Sequence, residues 1–100
     1  MYYVYILKSE KQVGAIYIGY TSDLKCRIKE HNSTSNRHHS SKYSPWELES
    51  YFAFSDKIDA ERFEKYLKSS SGKAFLRKRL ISNHFKDALA KYNNGRSVLE

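Results

Sequence analysis

The sequence predicts an α+β fold, with a three-stranded antiparallel sheet flanked by three helices, or four if the tail adds a short one. Two runs rich in aromatic and β-branched residues lie near the N-terminus, on either side of a polar segment, as is typical of a β-hairpin. Later stretches repeat apolar residues at i, i+3, i+4 and i+7, the pattern of amphipathic helices. The element order is β-β-α-β-α-α. One hundred residues suit one core, so we predict one domain over 1–82 and a helical extension and tail over 83–100.

The N-terminal hairpin pairs the runs Tyr2–Lys8 and Ala15–Tyr20. If odd positions pair with odd positions, Tyr5 and Tyr17 share one face of the sheet. A register slipped by one residue would separate them. Gly19 has no side chain, so near the end of its strand it allows another group to approach closely.

A first helix follows the hairpin, with Thr21 or Ser22 as its cap and an end near Asn32. Its inward stripe contains two apolar and two basic residues, Leu24, Arg27, Ile28 and His31. An arginine buried without a partner costs several kcal/mol, on the order of a lost buried ion pair. The stripe therefore indicates either a nearby carboxylate or a half-wet functional site.

A third strand is predicted over Trp46–Phe54, and the second helix starts after a cap at Ser55-Asp56. Alternation predicts that one face of this strand contains Leu48, Ser50, Phe52 and Phe54. The inward stripe of the second helix again includes a charged residue, and it consists of Ala60, Phe63, Glu64 and Leu67. We expect a break at Ser69–Gly72 and a third helix over about Lys73–Ser82.

The composition favours a polyanionic partner. The formal net charge is +7 and the chain has nine tyrosines, so we expect sequence-nonspecific contacts with a nucleic-acid backbone, with a membrane surface as the weaker alternative. The predicted phosphate-binding residues are Arg37, Lys42, Lys68, Lys73 and Arg77. No apolar stretch is long enough to span a membrane, no signal peptide is evident, and Cys26 is the single cysteine, so we predict a cytoplasmic protein.

Five positions together resemble the GIY-YIG nuclease superfamily, closest to its small single-domain bacterial members, over roughly Tyr2 to Ile81. They lie in Tyr3-Val4-Tyr5, in Tyr17-Ile18-Gly19, and on two helices that carry Arg27, His31 and Glu64. The resemblance implies a DNA endonuclease that hydrolyses phosphodiester bonds with one divalent cation, Mg²⁺ or Mn²⁺. Its members are expected to act on DNA, and a protein partner could direct this one to its target.

The resemblance also implies a role for each residue. Glu64 would hold the metal, Arg27 would clamp the phosphate, and His31 would hydrogen-bond the water or a tyrosine. Tyr5 or Tyr17 would orient or deprotonate the attacking water, and we favour Tyr5. All five should line one cleft, with Tyr17 and Glu64 on the same face of the sheet.

The sequence departs from the family pattern at two points. Tyr3 and Val4 replace the glycine and isoleucine of the first motif, and Ser69–Lys73 offers no asparagine after the glutamate helix. Two alternatives therefore stay open. The first is a catalytically weak or inactive nucleic-acid-binding domain that keeps the nuclease fold, and the second is a buried structural ion pair between Glu64 and Arg27.

Overall fold

The computed structural model of the chain describes residues 1–33, 43–80 and 98–99. The predicted fold is confirmed, because three antiparallel strands and three α-helices occur in the predicted order. The elements are β1 (Tyr2–Ser9), β2 (Ile16–Thr21), α1 (Leu24–Asn32), β3 (Trp46–Phe54), α2 (Lys57–Leu67), α3 (Ser70–Phe75), a π-helical turn (Leu76–Leu80) and β4 (Val98–Leu99). Arg37, Lys42 and the helix expected in the tail lie outside the described residues.

The sheet has the strand order β3-β1-β2-β4, with β1 in the middle of the antiparallel part. Tyr5 pairs with Gly19 and Leu7 pairs with Tyr17. This is the odd-with-odd register, so Tyr5 and Tyr17 share a face as predicted. The two-residue β4 is parallel to β2 and pairs only with Ile16 and Tyr17.

The two faces of the sheet bury separate cores. The core on the α2 and α3 side consists of Val4, Ile6, Ile16, Ile18, Ala60, Leu67 and Leu76. The core on the α1 side contains Tyr5, Leu7 and Trp46, with Tyr17, Leu24, Ile28, Tyr43 and Leu48 packed against it. The alternation of β1 therefore directs even-numbered side chains towards α2 and odd-numbered ones towards α1.

A β-bulge interrupts the pairing of β1 with β3. Ile6 pairs with Ser50, whereas the next residue, Leu7, pairs with Leu48, which leaves Glu49 as the extra residue. The prediction that Leu48 shares a face with Phe52 and Phe54 is therefore wrong, because the bulge reverses the alternation.

The cap of α1 also differs from the prediction. Asp23 is the N-cap, and its side chain accepts a hydrogen bond from the Cys26 amide at 3.1 Å. Thr21 instead accepts from the Asp23 amide at 3.1 Å. The cap of α2 is Asp56, as predicted, and its carboxylate accepts from the Ile58 amide at 2.9 Å.

The third helix starts earlier than predicted. The Ser69 hydroxyl accepts a hydrogen bond from the Gly72 amide at 3.2 Å, which makes Ser69 the N-cap of α3 and places Gly72 inside the helix. A Cβ atom at Gly72 would lie 2.5 Å from the Leu67 Cα and closer still to the Tyr66 carbonyl oxygen. The glycine therefore does not break the helix but lets α3 pack tightly against the end of α2.

Candidate active site

An aromatic cluster joins the hairpin to the end of α1. The Tyr5 hydroxyl lies 3.0 Å from the Nε2 atom of His31. The Tyr17 ring centre lies 4.4 Å from that of His31 and 6.2 Å from that of Tyr5. Tyr5 is 1% exposed and His31 is 3% exposed, whereas Tyr17 is partly exposed. Tyr17 is therefore the member of the cluster that faces solvent.

Gly19 provides the space for the Tyr5 ring. A Cβ atom at Gly19 would lie 2.6 Å from the Tyr5 hydroxyl oxygen and 3.0 Å from a Tyr17 ring carbon. The Tyr5 ring thus crosses β2 at Gly19, and its hydroxyl lies above that strand. Because β4 pairs only with Ile16 and Tyr17, no strand among the described residues pairs with the Gly19 end of β2.

Arg27 and Glu64 each have a local ion-pair partner. The Nε atom of Arg27 lies 3.2 Å from a carboxylate oxygen of Glu30, and the side chain is 40% exposed. Glu64, 15% exposed, accepts from the Lys68 ammonium at 2.8 Å. In the part of the chain that the structure describes, these two residues do not pair with each other, so the alternative of a structural Arg27–Glu64 ion pair is wrong.

The charges of Arg27 and Glu64 both act on the Tyr5 hydroxyl. Burial raises the pKa of Tyr5 well above its usual value, and Tyr17 raises it further; the positive charge of Arg27 lowers this pKa and the carboxylate of Glu64 raises it. Tyr5 is therefore a protonated phenol at neutral pH, able to donate its hydrogen to His31 Nε2.

The candidate residues come from both faces of the sheet. Tyr17 belongs to the α1 side, whereas α2, which carries Glu64, packs on the opposite side. Tyr17 and the helix that carries Glu64 thus pack on opposite sides of the sheet, and the expectation that the five side chains line one cleft stays a prediction. On the α2 side, the Tyr20 hydroxyl donates to Glu61 at 2.6 Å; this hydrogen bond, and to a smaller extent the Glu64 carboxylate, raises the pKa of Tyr20.

A polar groove of about 480 Å³ is lined by Tyr2, Tyr20, Thr21, Ser22, Arg27 and Lys57. We call it the Arg27 groove. Sequence reasoning missed Tyr20 and Lys57. For Lys57 one signal existed, because it begins α2, and a cation at a helix N-terminus opposes the helix dipole.

The remaining predicted phosphate-binding residues lie around the junction of α2 and α3. Lys68 is the C-cap of α2 and holds Glu64. Lys73 lies in α3, and Arg77 is exposed on the π-helical turn. The structure thus gives Lys68 a carboxylate partner, a contact that the sequence interpretation did not include.

The donor set fits only a sparsely liganded cation. Among the described residues, no group of three His, Cys, Asp or Glu side chains could hold a metal ion. Glu64 offers one carboxylate, of which one oxygen contacts Lys68. Mg²⁺ commonly takes one or two carboxylates and completes its shell with water and substrate phosphate. Glu64 therefore fits Mg²⁺ or Mn²⁺ as a single protein ligand but cannot form an all-protein cage with its neighbours.

The order of these parts defines a class of protein. The tyrosine motifs of β1 and β2, the Arg27–His31 helix and the Glu64 helix are those of a GIY-YIG domain, the nuclease-type fold. Residues 1–78 match the family described as the GIY-YIG catalytic domain, and the chain belongs to this family.

The chain is similar to UPF0213 proteins. It is 37% identical over 70 residues to the UPF0213 protein BH0048 of Halalkalibacterium halodurans, which is 70% of this chain and 72% of that protein. It is 35% identical over 68 residues to the UPF0213 protein CPE1444 of Clostridium perfringens, covering 68% and 71% of the two chains. The solution NMR structure of the UPF0213 protein BH0048 from Bacillus halodurans matches with a TM-score of 0.50 and 32% identity, over 87% of this chain and 94% of that one.

None of the described helices combines the length and the apolar composition needed to cross a bilayer.

Proposed function

We propose that this protein is a divalent-metal-dependent endonuclease that hydrolyses phosphodiester bonds in DNA. Membership of the GIY-YIG family supports a nuclease-type activity on nucleic acid. The observation that carries the proposal is the cluster at β2, in which Tyr5 is hydrogen-bonded to His31, the partly exposed Tyr17 packs against His31, and the charges of Arg27 and Glu64 both act on the Tyr5 hydroxyl.

Arg27 serves as the phosphate clamp. Its ion pair with Glu30 uses Nε, which leaves the two terminal nitrogens for the oxygens of a phosphodiester. A guanidinium fork matches such oxygens in geometry and stabilises the charge that develops on them in the transition state. Backbone contacts by Lys68, Lys73 and Arg77, with Arg37 and Lys42, extend the binding along DNA without reading its sequence.

Tyr17 orients the attacking water. The resemblance favours Tyr5, but Tyr5 is 1% exposed and its hydroxyl is hydrogen-bonded to His31, so it is less accessible to an attacking water than the hydroxyl of Tyr17. Tyr17 is partly exposed and packs against His31 at 4.4 Å between ring centres. Tyr5 and His31 are positioning residues, because their hydrogen bond fixes the ring against which Tyr17 packs.

Glu64 holds the divalent cation, which supplies Lewis-acid stabilisation of the phosphate and of the departing oxygen when it is bound. Lys68 contacts one oxygen of the same carboxylate. The Lys68 ammonium balances the negative charge of Glu64 when no metal is bound. The second carboxylate oxygen is left for a cation.

Cleavage assays on supercoiled, branched and flapped DNA with Mg²⁺, Mn²⁺ or EDTA test the proposal. The wild-type chain should cut only with metal, and Glu64→Gln should abolish cutting while DNA affinity stays equal or rises slightly, since a carboxylate near phosphate is removed. Asp59→Asn is the matched control, because Asp59 is an exposed carboxylate in the first turn of the same helix, and it should cut normally. Metal-dependent cutting that survives Glu64→Gln would refute the assignment.

The alternative is a DNA-binding domain that has lost turnover. Tyr3 in place of the family glycine, the absence of the asparagine at Ser69–Lys73 and the Lys68 contact on Glu64 favour it. Lys73 or a water would have to replace the asparagine in an active enzyme. DNA binding without cutting under every metal condition, identical for wild type and Glu64→Gln, would establish this alternative.

A further inference from the structure

We infer that a second groove, on the other side of α1, binds an unpaired DNA base by stacking it on Tyr51. The groove measures about 480 Å³, and its lining includes Tyr3, Leu24, Ile28 and Tyr51 with Lys25 and Ser22. We call it the Tyr51 groove. This inference rests on the proposed function, because it names the class of DNA that the nuclease site receives.

The aromatic platform is exposed and supported. Tyr51 lies on β3 and is 51% exposed, more than Tyr66, the other exposed large aromatic side chain of the described residues. Its ring meets Tyr3 edge-to-face, with 5.9 Å between ring centres and 66° between ring planes. The Tyr3 contact restricts the Tyr51 side chain before any ligand binds, so little rotamer entropy remains to be lost on stacking.

The Tyr51 groove adjoins the Arg27 groove at the start of α1. Ser22 lines both this groove and the Arg27 groove, so one DNA strand can pass over the start of α1 and reach both. Exposed cations flank the path, with Lys25 on one side and Lys57 on the other. Asp23 also lines the Tyr51 groove, but its carboxylate accepts the Cys26 amide as the helix cap. The path therefore suits a polyanion that presents an apolar, flat group at Tyr51.

The stacked group must be an unpaired base. A paired base has both faces covered by its neighbours in the duplex, so it reaches a protein ring only after it is flipped out. Bases in single strands have free faces, and stacking on an aromatic side chain is tolerant of sequence. The geometry thus selects DNA with a single-stranded part next to the cut, such as an overhang, a flap or a junction.

The test uses a hairpin duplex with a single-stranded overhang that carries one 2-aminopurine, bound to the full chain in EDTA so that no cutting occurs. Binding should quench the fluorescence of 2-aminopurine. Tyr51→Leu should remove the quenching and weaken overhang binding roughly fivefold to a hundredfold, the range for one base–aromatic stack. Tyr51→Trp should keep the quenching and the overhang affinity. Neither Tyr51 substitution should alter the affinity for a blunt duplex. Tyr66→Leu is the control, since Tyr66 is a 41% exposed tyrosine on α2.

Three results would overturn the inference: unchanged quenching and affinity in Tyr51→Leu, an equal loss for blunt and overhang DNA, or a dimer in sedimentation that Tyr51→Leu dissociates. A melting curve matching wild type shows that each variant is folded. Failure here is separable from failure of the nuclease proposal. A wild type that cuts DNA with Tyr51→Leu unchanged contradicts only the stacking site, whereas Tyr51-dependent overhang binding without any cutting contradicts only the catalysis.

Discussion

At the scale of single residues, the two tyrosines of the site differ in what their hydroxyls can do. The Tyr5 hydroxyl is buried, lies 3.0 Å from His31 and has a raised pKa, whereas Tyr17 is partly exposed. A buried hydroxyl contributes mainly to stability, and an exposed one at a reactive edge contributes to chemistry. Substitution by phenylalanine separates the two contributions, because it keeps the ring and removes only the oxygen.

We predict that Tyr17→Phe lowers the cleavage rate by about 10²-fold, because the attacking water loses the group that orients it. Tyr5→Phe should lower the free energy of unfolding by about 0.5–1.5 kcal/mol, because the buried hydrogen bond between Tyr5 and His31 is lost. Single-turnover cleavage and thermal unfolding of both variants provide the measurement. Full cleavage in both would show that the hydroxyls are only structural, and loss in Tyr5→Phe alone would exchange the two roles.

The identities of the candidate residues could be read from the sequence, but their environments could not. Spacing placed Arg27 and His31 on the inward stripe of α1, and His31 is indeed buried. The burial of Tyr5 depends on Gly19 and on His31, which is 26 residues away in sequence. Such a long-range contact leaves no local pattern in the sequence. The ion pair of Lys68 with Glu64 is also hard to predict, because an i,i+4 pair in a basic stretch is equally consistent with a solvent-exposed helix face.

At the scale of elements, the junction of α2 and α3 depends on the absence of a side chain at Gly72. We predict that Gly72→Ala lowers the free energy of unfolding by about 1–3 kcal/mol, as overpacking does, because the new methyl group would meet the backbone of Tyr66 and Leu67. In a domain of this size each kcal/mol corresponds to about 4–8 °C in Tm. Ser71→Ala, an exposed position in the same helix, is the control and should melt like wild type. Equal melting of Gly72→Ala and Ser71→Ala would contradict the close packing.

Periodicity predicted the strands and helices, but their ends and irregularities needed tertiary information. Thr21, Ser22 and Asp23 are all good caps, and only the geometry selects Asp23. A Ser-Ser-Ser-Gly run predicts a break, yet Ser69 caps a helix through it because α3 packs on α2. The bulge at Glu49 arises from pairing with β1, which no pattern within β3 encodes.

At the scale of the whole molecule, the net charge of +7 should dominate affinity for duplex DNA. We predict that this affinity falls about tenfold or more between 50 and 200 mM salt, the loss for two or more neutralised phosphates. Fluorescence anisotropy with a blunt duplex in EDTA measures it. Arg27→Ala should reduce the magnitude of the salt slope by about one, as expected for one phosphate contact. An affinity that hardly responds to salt would refute electrostatic binding.

The bulge in β3 gives the two ends of one strand different neighbours. Before it, Trp46 and Leu48 support the aromatic cluster on the α1 side; after it, Phe52 and Phe54 pack on the α2 side. Insertions or deletions of single residues in this strand would exchange the two sets of side chains, whereas point substitutions stay confined to one core. The residues that support Tyr17 can therefore vary in evolution independently of those that anchor the Glu64 helix, so that the surroundings of the aromatic cluster and the packing of α2 are free to diverge along a single nine-residue strand.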